Sequence, residues 1–189
     1  MAKCSICMKV KGKRQCLAFN GTVCSSCCGA SRDSNKCAGC SFYKNDAELR
    51  RYEKVPHYST EQMADNPELQ NAANVIEGAL CSFDSAQDQT TSDGFYLKVV
   101  ERLLDRYSFG DHDFLFSDDL EKKGFLFIES AINEDLAGVT TDHLAKVIGT
   151  VYRSIKRRAE GNSGGRQYID FIRRYVGVRV ATGVRALSI

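Results

Sequence analysis

The sequence is short of several features that would assign it to a class at once. It has no tryptophan and only two prolines in 189 residues. No apolar run approaches the roughly 18 to 20 residues that span a bilayer. The start, Met1-Ala2-Lys3-Cys4, lacks the apolar segment of a secretory signal. We therefore expect a soluble, cytoplasmic protein with no membrane partner.

Histidine is also scarce, which limits the catalytic chemistry available. His57, His112 and His143 have no His or Cys neighbour at ligand spacing. The dipeptide His112-Asp113 resembles the motif of the all-helical, metal-dependent HD phosphohydrolases, where another His upstream and an Asp downstream complete the site; His57 and Asp170 are available for those roles. No nucleophile and base pair, open metal triad or cofactor fingerprint is evident. We expect no catalytic residues and no enzyme activity, with HD-type metal phosphohydrolysis as a remote alternative.

The composition is that of a folded chain whose charge is unevenly distributed. Hydrophobic residues make up 43% and charged residues 26%, proportions typical of globular proteins. The net charge is +2, but residues 1–44 carry +7, residues 45–150 carry −12 and residues 151–189 carry +7. Basic ends around an acidic middle indicate nucleic acid, an acidic partner, or attraction between parts of the chain itself.

Cysteine is the most informative residue type, because eight of the nine cysteines lie between positions 4 and 40. Three pairs have the CxxC spacing, in which one tight turn presents both sulfurs to a single ion. These pairs are Cys4/Cys7, Cys24/Cys27 and Cys37/Cys40. A cytoplasmic chain keeps its thiols reduced, so metal binding explains this density better than disulfides do. Eight thiolates without an open position predict two structural zinc ions per chain and no catalytic zinc.

The local sequence suggests which cysteines bind the first ion. After the first pair, residues 13–19 lead to Asn20-Gly21, the strongest short signal for a hairpin turn. The stretch from Cys24 to Cys28 then has no turn residue before Gly29 and favours a short helix. Knuckle, hairpin and helix start follow one another in the treble-clef order. The first zinc site is therefore predicted to consist of Cys4, Cys7, Cys24 and Cys27.

A second zinc site is predicted from the cysteines that remain. Neighbouring positions on a helix point about 100° apart, so Cys27 and Cys28 do not comfortably serve one ion. Cys28 should face a second zinc, which Cys16 and the Cys37/Cys40 pair would complete as an interleaved cross-brace. A sequential pairing, with Cys16 in the first site, stays open because spacing alone does not distinguish the two.

Residues 4–40 resemble the cross-brace and treble-clef zinc modules, the broad class that includes FYVE, MYND, HIT and RING fingers. The resemblance is one of cysteine spacing and covers about a fifth of the chain. MYND, HIT and most RING patterns have a histidine ligand, whereas the first histidine here is His57. The basic, His-rich motif with which FYVE modules grip phosphoinositide is missing as well. The resemblance implies metal binding and a local fold, and none of those families' partners.

Beyond Tyr43 the sequence pattern becomes helical. Asn66-Pro67 predicts a helix start, and apolar residues then recur at helical spacing in five segments as far as residue 176. Gly177 and Gly183 interrupt the tail that runs from Val178 to Ile189. We assign this tail to helix, with a short strand as the alternative.

These observations predict a mainly α protein in three parts. A small two-zinc treble-clef or cross-brace finger occupies residues 1–44, and a short helix and linker occupy residues 45–65. Residues 66–189 form an all-α domain of about five helices with a basic C-terminal segment.

Basic side chains cluster near the predicted hairpin and in the C-terminal segment. Cations near helix C-termini offset the helix dipole, but they can also contact a polyanion or an acidic protein. The candidate residues for such contacts are Lys11, Lys13, Arg14, Lys156, Arg157, Arg158, Arg166, Arg173 and Arg174. The acidic middle would repel a polyanion, and the finger lacks aromatic residues interleaved with basic ones. We therefore predict a zinc-binding adaptor with a protein partner, and RNA or DNA binding is the alternative.

Overall fold

Two compact units make up the protein, Met1–Arg50 and Arg51–Ile189, here called the cysteine module and the helical unit. The structure is a computed structural model. It describes residues 2–33, 36–37, 39–43, 50–159, 161–162 and 164–187. Most of it is helical, with small strands in both units, so the mainly α fold predicted from the sequence is confirmed.

In its described residues, the cysteine module contains one hairpin and one short helix. Strand β1 (Arg14–Cys16) pairs antiparallel with β2 (Gly21–Val23), and helix α1 covers Ser25–Ala30. Asn20 turns the chain between the strands with a φ of 45°, in the left-handed region that Asn tolerates. The order of knuckle, hairpin and helix is the one predicted from Asn20-Gly21 and the cysteine spacing.

Among the residues that the structure describes, the interior of this module has almost no large apolar side chains. Its buried cluster consists of Cys4, Cys16, Val23 and Cys24. Burial of one valine and three cysteines removes too little apolar surface from water to hold about fifty residues folded. Another interaction must stabilise the module, and the cysteines are the residues placed to supply it.

The helical unit contains six α-helices of five to twenty residues. They are α2 (Thr60–Ala64), α3 (Pro67–Ala86), α4 (Asp93–Phe109), α5 (Asp119–Asp135), α6 (Thr141–Ala159) and α7 (Gln167–Tyr175). The five longer ones are the predicted helices. No helix among the described residues is long and apolar enough to cross a membrane.

Side-chain caps explain where three of these helices begin. The Asn66 carboxamide accepts hydrogen bonds from the backbone N–H of Glu68 and Leu69, at 3.0 and 3.2 Å. Ser92 caps α4 and Asp118 caps α5 in the same way. These contacts satisfy N–H groups that have no partner inside the helix, so the sequence positions of the caps define the helix starts.

The core of the helical unit lies where α3 and α4 meet the other long helices. Helix α4 packs against α5 and α6, and α3 packs against α5, α6 and α7. The side chains at these contacts come from the apolar faces predicted by helical spacing. Those that are fully buried include Ile76, Leu80, Leu103, Ile128, Ile148, Ile155 and Ile169.

Residues 51–65 pack onto the helical unit. They contain a 3-10 helix (Tyr52–Lys54) as well as α2, and Val55 is buried in the core. The Tyr52 hydroxyl donates to Asp105 at 2.9 Å, and the Tyr58 N–H donates to the Thr150 hydroxyl at 3.0 Å. Helix α2 lies in the stretch predicted as a short helix and linker, of which residues 45–49 lie outside the described part of the chain.

The C-terminal tail is a hairpin, so its assignment to helix was wrong. Strand β3 (Val178–Ala181) pairs antiparallel with β4 (Val184–Ala186). Gly177, with φ of 77°, turns the chain after α7, and a Cβ there would collide with the backbone of Ala186. Because Gly177 breaks the helix and Gly183 makes the second turn, the residues on the two sides of Gly183 pair as strands.

A buried carboxylate ties α3, α4 and α7 together. Asp84 is fully buried and accepts two hydrogen bonds from Arg166, both at 2.9 Å, and a further one from Arg173. The hydroxyls of Thr91 and Tyr96 also donate to it, at 2.5 and 3.1 Å. We call these five residues the Asp84 cluster. Two cations and two hydroxyls compensate the desolvation of one carboxylate.

Other basic residues of the C-terminal segment also pair with acidic residues of the middle segment. Arg179 pairs with Asp135 at 2.9 Å and with Glu134 at 2.6 Å, and Lys156 pairs with Glu53. The uneven charge distribution had three possible explanations: nucleic acid, an acidic partner, or attraction between parts of the chain itself. Attraction within the chain accounts for several of these side chains.

Replacement of Asp84 by Asn should destabilise the helical unit. Arg166 and Arg173 would then face a neutral amide, and removing one partner of a buried ion pair costs about 3 kcal/mol or more. Urea denaturation of the full chain followed by circular dichroism measures the loss. Asp113→Asn, at an exposed carboxylate, is the control and should change the free energy of unfolding by no more than about 0.5 kcal/mol. Equal stability of the two variants would contradict this assignment.

The same cluster predicts a pH dependence of stability. Burial alone would raise the pKa of Asp84, but the hydrogen bonds from Arg166 and Thr91, with the charge of Arg166, lower it overall. The folded state therefore binds this proton less tightly than the unfolded state, so the stabilisation is present at neutral pH and is lost as pH falls through the folded pKa. Urea titrations should show the gap between wild type and Asp84→Asn narrowing from about pH 7 to about pH 3. A gap independent of pH would argue against an ionised Asp84.

Candidate metal centre

Four cysteines of the cysteine module converge on one point. The Sγ atoms of Cys4, Cys7, Cys24 and Cys27 all lie within 4.8 Å of one another. Thiolates around a tetrahedral zinc, each about 2.3 Å from the ion, are about 3.8 Å apart. The group could thus hold one metal ion, and four sulfur ligands fit zinc. It is the group that the sequence predicted for the first site.

The hairpin and the start of α1 bring these sulfurs together. Cys4 and Cys7 lie in the knuckle, where the Cys4 N–H donates to the Val10 carbonyl at 2.8 Å. Cys24 is the N-cap residue of α1, and Cys27 follows in the first helical turn. The Ser5 N–H donates to the Thr22 carbonyl at 2.9 Å, which fixes the knuckle beside strand β2. Backbone geometry therefore positions the ligands.

Backbone N–H groups also point at the sulfur atoms. The Cys24 N–H lies 3.2 Å from Cys4 Sγ, and the Cys27 N–H lies 3.4 Å from Cys24 Sγ. N–H donors aimed at sulfur stabilise the thiolate form, which is the form that binds metal. Donation by the amides of Cys7 and Cys24, outweighing burial, lowers the pKa of Cys4 to about 6.

Cys27 shows the opposite shift, because the sulfurs crowd one another. Its hydrogen bond with Cys24 and its burial raise the pKa of Cys27 to about 12. A second thiolate beside the first is unfavourable without a cation. A metal ion supplies the positive charge that allows all four sulfurs to be deprotonated, so the cluster is electrostatically incomplete without one.

The cysteines predicted for the second site line a common cavity. Cys16, Cys28, Cys37 and Cys40 surround a space of about 10 Å³, close to the volume that holds one water molecule. They do not converge as closely as the first four. Among the described residues, the first group is the one set of three or more His, Cys, Asp or Glu side chains whose ligand atoms come within 4.8 Å of one another.

Arg14, a predicted partner-binding residue, lies beside this cavity. Its Nη1 donates to Cys28 Sγ at 3.5 Å, and its guanidinium carbon is 5.0 Å from the centre of the Phe42 ring. This contact brings a positive charge to the sulfur of Cys28.

The residues proposed for HD chemistry have other neighbours in the structure. His112 Nδ1 is 3.0 Å from Nη1 of Arg106, and Asp170 pairs with Arg166 at 3.1 Å. His57 Nδ1 is 3.4 Å from the backbone carbonyl of Val55. In the part of the chain that the structure describes, His112 and Asp113 belong to no group of three or more potential ligands within metal-binding distance.

Some of the predicted basic residues pair with acidic side chains or stack on an aromatic ring, and some are exposed. Lys156 and Arg158 are in both sets. Arg166 and Arg173 belong to the Asp84 cluster, and Lys156 pairs with Glu53. The Arg158 guanidinium stacks 3.4 Å from the centre of the Phe171 ring. The exposed basic side chains are Lys11, Lys13, Lys156, Arg157, Arg158 and Arg174.

Exposed apolar side chains on the cysteine module are a feature that sequence analysis missed. They are Ile6, Met8, Val10, Leu17, Phe19 and Phe42, between 40% and 63% exposed. We call them the module's apolar side chains. The sequence does contain a signal for this exposure. These apolar residues lie in a segment whose interior is occupied by cysteine, so they have no interior to enter.

Substitution of a single ligand should remove a metal ion without unfolding the helical unit. Cys24→Ser takes away a sulfur that both caps α1 and completes the four-cysteine group, so the zinc content should fall by one ion per chain. Native mass spectrometry of the purified protein measures this loss. The matched control is Cys81→Ala, at the ninth cysteine, buried on α3, which should leave the zinc content unchanged. Wild-type zinc content in Cys24→Ser would contradict the site.

Comparison with known proteins adds no assignment to this geometry. No protein-family model matches the chain, no curated protein matches it, and no solved structure matches it. Its function must therefore be argued from its own residues.

Proposed function

We propose that this chain is a zinc-binding adaptor whose cysteine module, held by two structural zinc ions, presents apolar side chains to a protein partner. The observation that carries the proposal is that cysteines, and not large apolar residues, fill the interior of the module. Cysteines occupy the interior, while large apolar residues such as Met8, Leu17 and Phe19 are more than half exposed. Exposed apolar side chains on a rigid support are typical of protein-binding surfaces.

The first zinc of the proposal is the ion that Cys4, Cys7, Cys24 and Cys27 would hold. Four protein ligands leave no coordination position for water, so the ion would stabilise the fold and would not activate a nucleophile. Structural zinc supplies folding free energy that a small core lacks.

The second zinc would be held by the cavity cysteines. Cys16, Cys28, Cys37 and Cys40 line one space, and Cys28 follows Cys27 on α1 without sharing its site. The cavity is small, which suits one ion better than an organic ligand. This arrangement supports the interleaved pairing over the sequential one, because Cys16 faces the cavity.

The same module argues against nucleic acid as the main target. Eight thiolates and two zinc ions together carry about four negative charges, which offset part of the +7 on residues 1–44. In the helical unit, Arg166 and Arg173 neutralise Asp84, and Lys156 pairs with Glu53. Paired cations release fewer counterions on binding a polyanion. Nucleic-acid binding is therefore the second candidate, supported by the exposed Arg157 and Arg174.

Cys28→Ser tests the two-zinc arrangement. In the interleaved scheme this change removes the second zinc and spares the first, because Cys28 lies in the cavity and not in the four-cysteine group. Native mass spectrometry should find two zinc ions in wild type and one in the variant. A double variant shows how the eight cysteines are shared between the two zinc sites. If Cys16 and Cys28 serve the same ion, Cys16→Ser/Cys28→Ser should still retain one ion. Loss of both ions from Cys16→Ser/Cys28→Ser would contradict the interleaved scheme.

The adaptor function is tested by exchanging apolar side chains that do not touch the metal. Met8→Ser and Phe19→Ser combined should keep both zinc ions and lose a partner that wild type captures by cross-linking and that binds again when purified. Leu115→Ser, at a residue of the helical unit that is 82% exposed, is the control and should retain the partner.

Titration with mixed-sequence DNA and RNA at several salt concentrations distinguishes the second candidate. The adaptor predicts weak binding with a shallow dependence on salt. A steep dependence that disappears in Arg157→Ala/Arg174→Ala would replace the adaptor with a nucleic-acid-binding protein.

A further inference from the structure

A groove on the helical unit is lined by charged groups that neither the metal sites nor the core explains. Two neighbouring cavities, of about 270 and 410 Å³, have Glu77 and Ser154 among their lining residues. Helices α3, α6 and α7 line the larger one. We call it the Glu77 groove and define it by Glu77, Ser154, Arg157, Arg158, Tyr168 and Phe171.

Glu77 is a half-buried carboxylate that no cation contacts directly among the described residues, although the charges of Arg158 and Arg185 act to lower its pKa. The Tyr168 hydroxyl donates to its Oε1 at 2.6 Å, and no other hydrogen bond or ion pair to Glu77 occurs among the described residues. Two fully buried carboxylates have more direct partners. Asp84 forms ion pairs with two arginines. Asp93 accepts hydrogen bonds from the backbone N–H groups of Tyr168 and Ile169, at 2.9 and 3.1 Å. Glu77 is therefore the incompletely compensated carboxylate of this region.

An incompletely compensated charge in a groove is unfavourable for stability. Desolvation raises the pKa of Glu77, in spite of the hydrogen bond from Tyr168. Such groups are found where a protein binds a ligand that supplies the missing charge. The missing group at Glu77 is a cation.

Two arginines line the same groove with the opposite charge. Arg157 and Arg158 are exposed, and within the described chain neither forms an ion pair. Stacking on the Phe171 ring orients the planar guanidinium of Arg158. Neither guanidinium lies within ion-pair distance of Glu77, although the charge of Arg158 acts on that carboxylate.

We propose that the Glu77 groove binds a small zwitterion of the amino-acid class, with its cationic group on Glu77 and its carboxylate on Arg157 and Arg158. Cavities of a few hundred Å³ are the size of small-molecule sites. An anion alone would be repelled by Glu77, and a cation alone would be repelled by the arginines. The groove lies within the helical unit and depends on neither zinc nor the adaptor function.

Calorimetric titration of the full zinc-loaded chain tests this inference. The probes are L-lysine and ε-aminocaproate, with hexylamine and hexanoate as analogues that each keep one of the two charges. A zwitterion should bind saturably, and each single-charge analogue should bind at least about tenfold more weakly because it loses one charge-assisted contact. No saturable binding of either zwitterion, or equal binding of the single-charge analogues, overturns the proposal.

Two groove variants and one control complete the experiment. Glu77→Gln keeps an acceptor for the Tyr168 hydroxyl and removes the charge, and Arg157→Ala removes a guanidinium. Each should weaken zwitterion binding at least about tenfold, while Arg174→Ala, at an exposed arginine outside the groove, should leave it unchanged. Binding that survives both groove variants overturns the proposal.

Thermal unfolding separates a ligand-binding role of Glu77 from a structural one. A neutral amide is easier to desolvate than a carboxylate, so Glu77→Gln should be at least as stable as wild type. A clear fall in melting temperature would mean that Glu77 stabilises the fold, and the proposal would fail on that result.

Discussion

In our proposal, attraction between a metal cation and crowded thiolates is the interaction on which the cysteine module depends. Cys4, Cys16 and Cys24 occupy the interior that leucine or isoleucine fills elsewhere. Such an interior contributes little hydrophobic free energy, whereas a structural zinc contributes on the order of 10 kcal/mol of binding free energy that becomes folding free energy. Because the sulfurs take the interior, the apolar residues of the same segment remain on the surface. The surface that we propose for a partner thus follows from the way the module is held together.

Electrostatics shapes the helical unit in a different way. The acidic middle and the basic end of the sequence meet in the fold, as in the pairs of Arg173 with Asp84 and Arg179 with Asp135. Arg173 joins α7 to α3, and Arg179 joins strand β3 to α5, so these pairs fix how the C-terminal elements lie on the earlier helices. Glu77 lies outside this pattern, because among the described residues no ion pair joins it to a cation and it lines a cavity. In our proposal a ligand supplies that contact.

Much of the fold could be predicted from local sequence signals. The five longer helices follow from caps such as Asn66 and from helical spacing, because both act within a few residues. The four-cysteine group followed from CxxC spacing and the hairpin turn at Asn20-Gly21. The tail was missed because Gly177 was weighed as a helix interruption and its left-handed conformation is not visible in sequence. The Asp84 cluster was out of reach, since its arginines lie 82 and 89 residues away along the chain.

Hydrogen exchange of the full chain, with zinc bound and after chelation, tests the central claim most directly. The account predicts that chelation removes protection from the amides of residues 2–33, including those of Cys24 and Cys27, and leaves helices α3 to α6 protected as before. The helical unit has its own apolar core and serves as the internal control. Protected amides in a cysteine module that metal analysis shows to be free of zinc would contradict the account, because the fold of the module would then have another source.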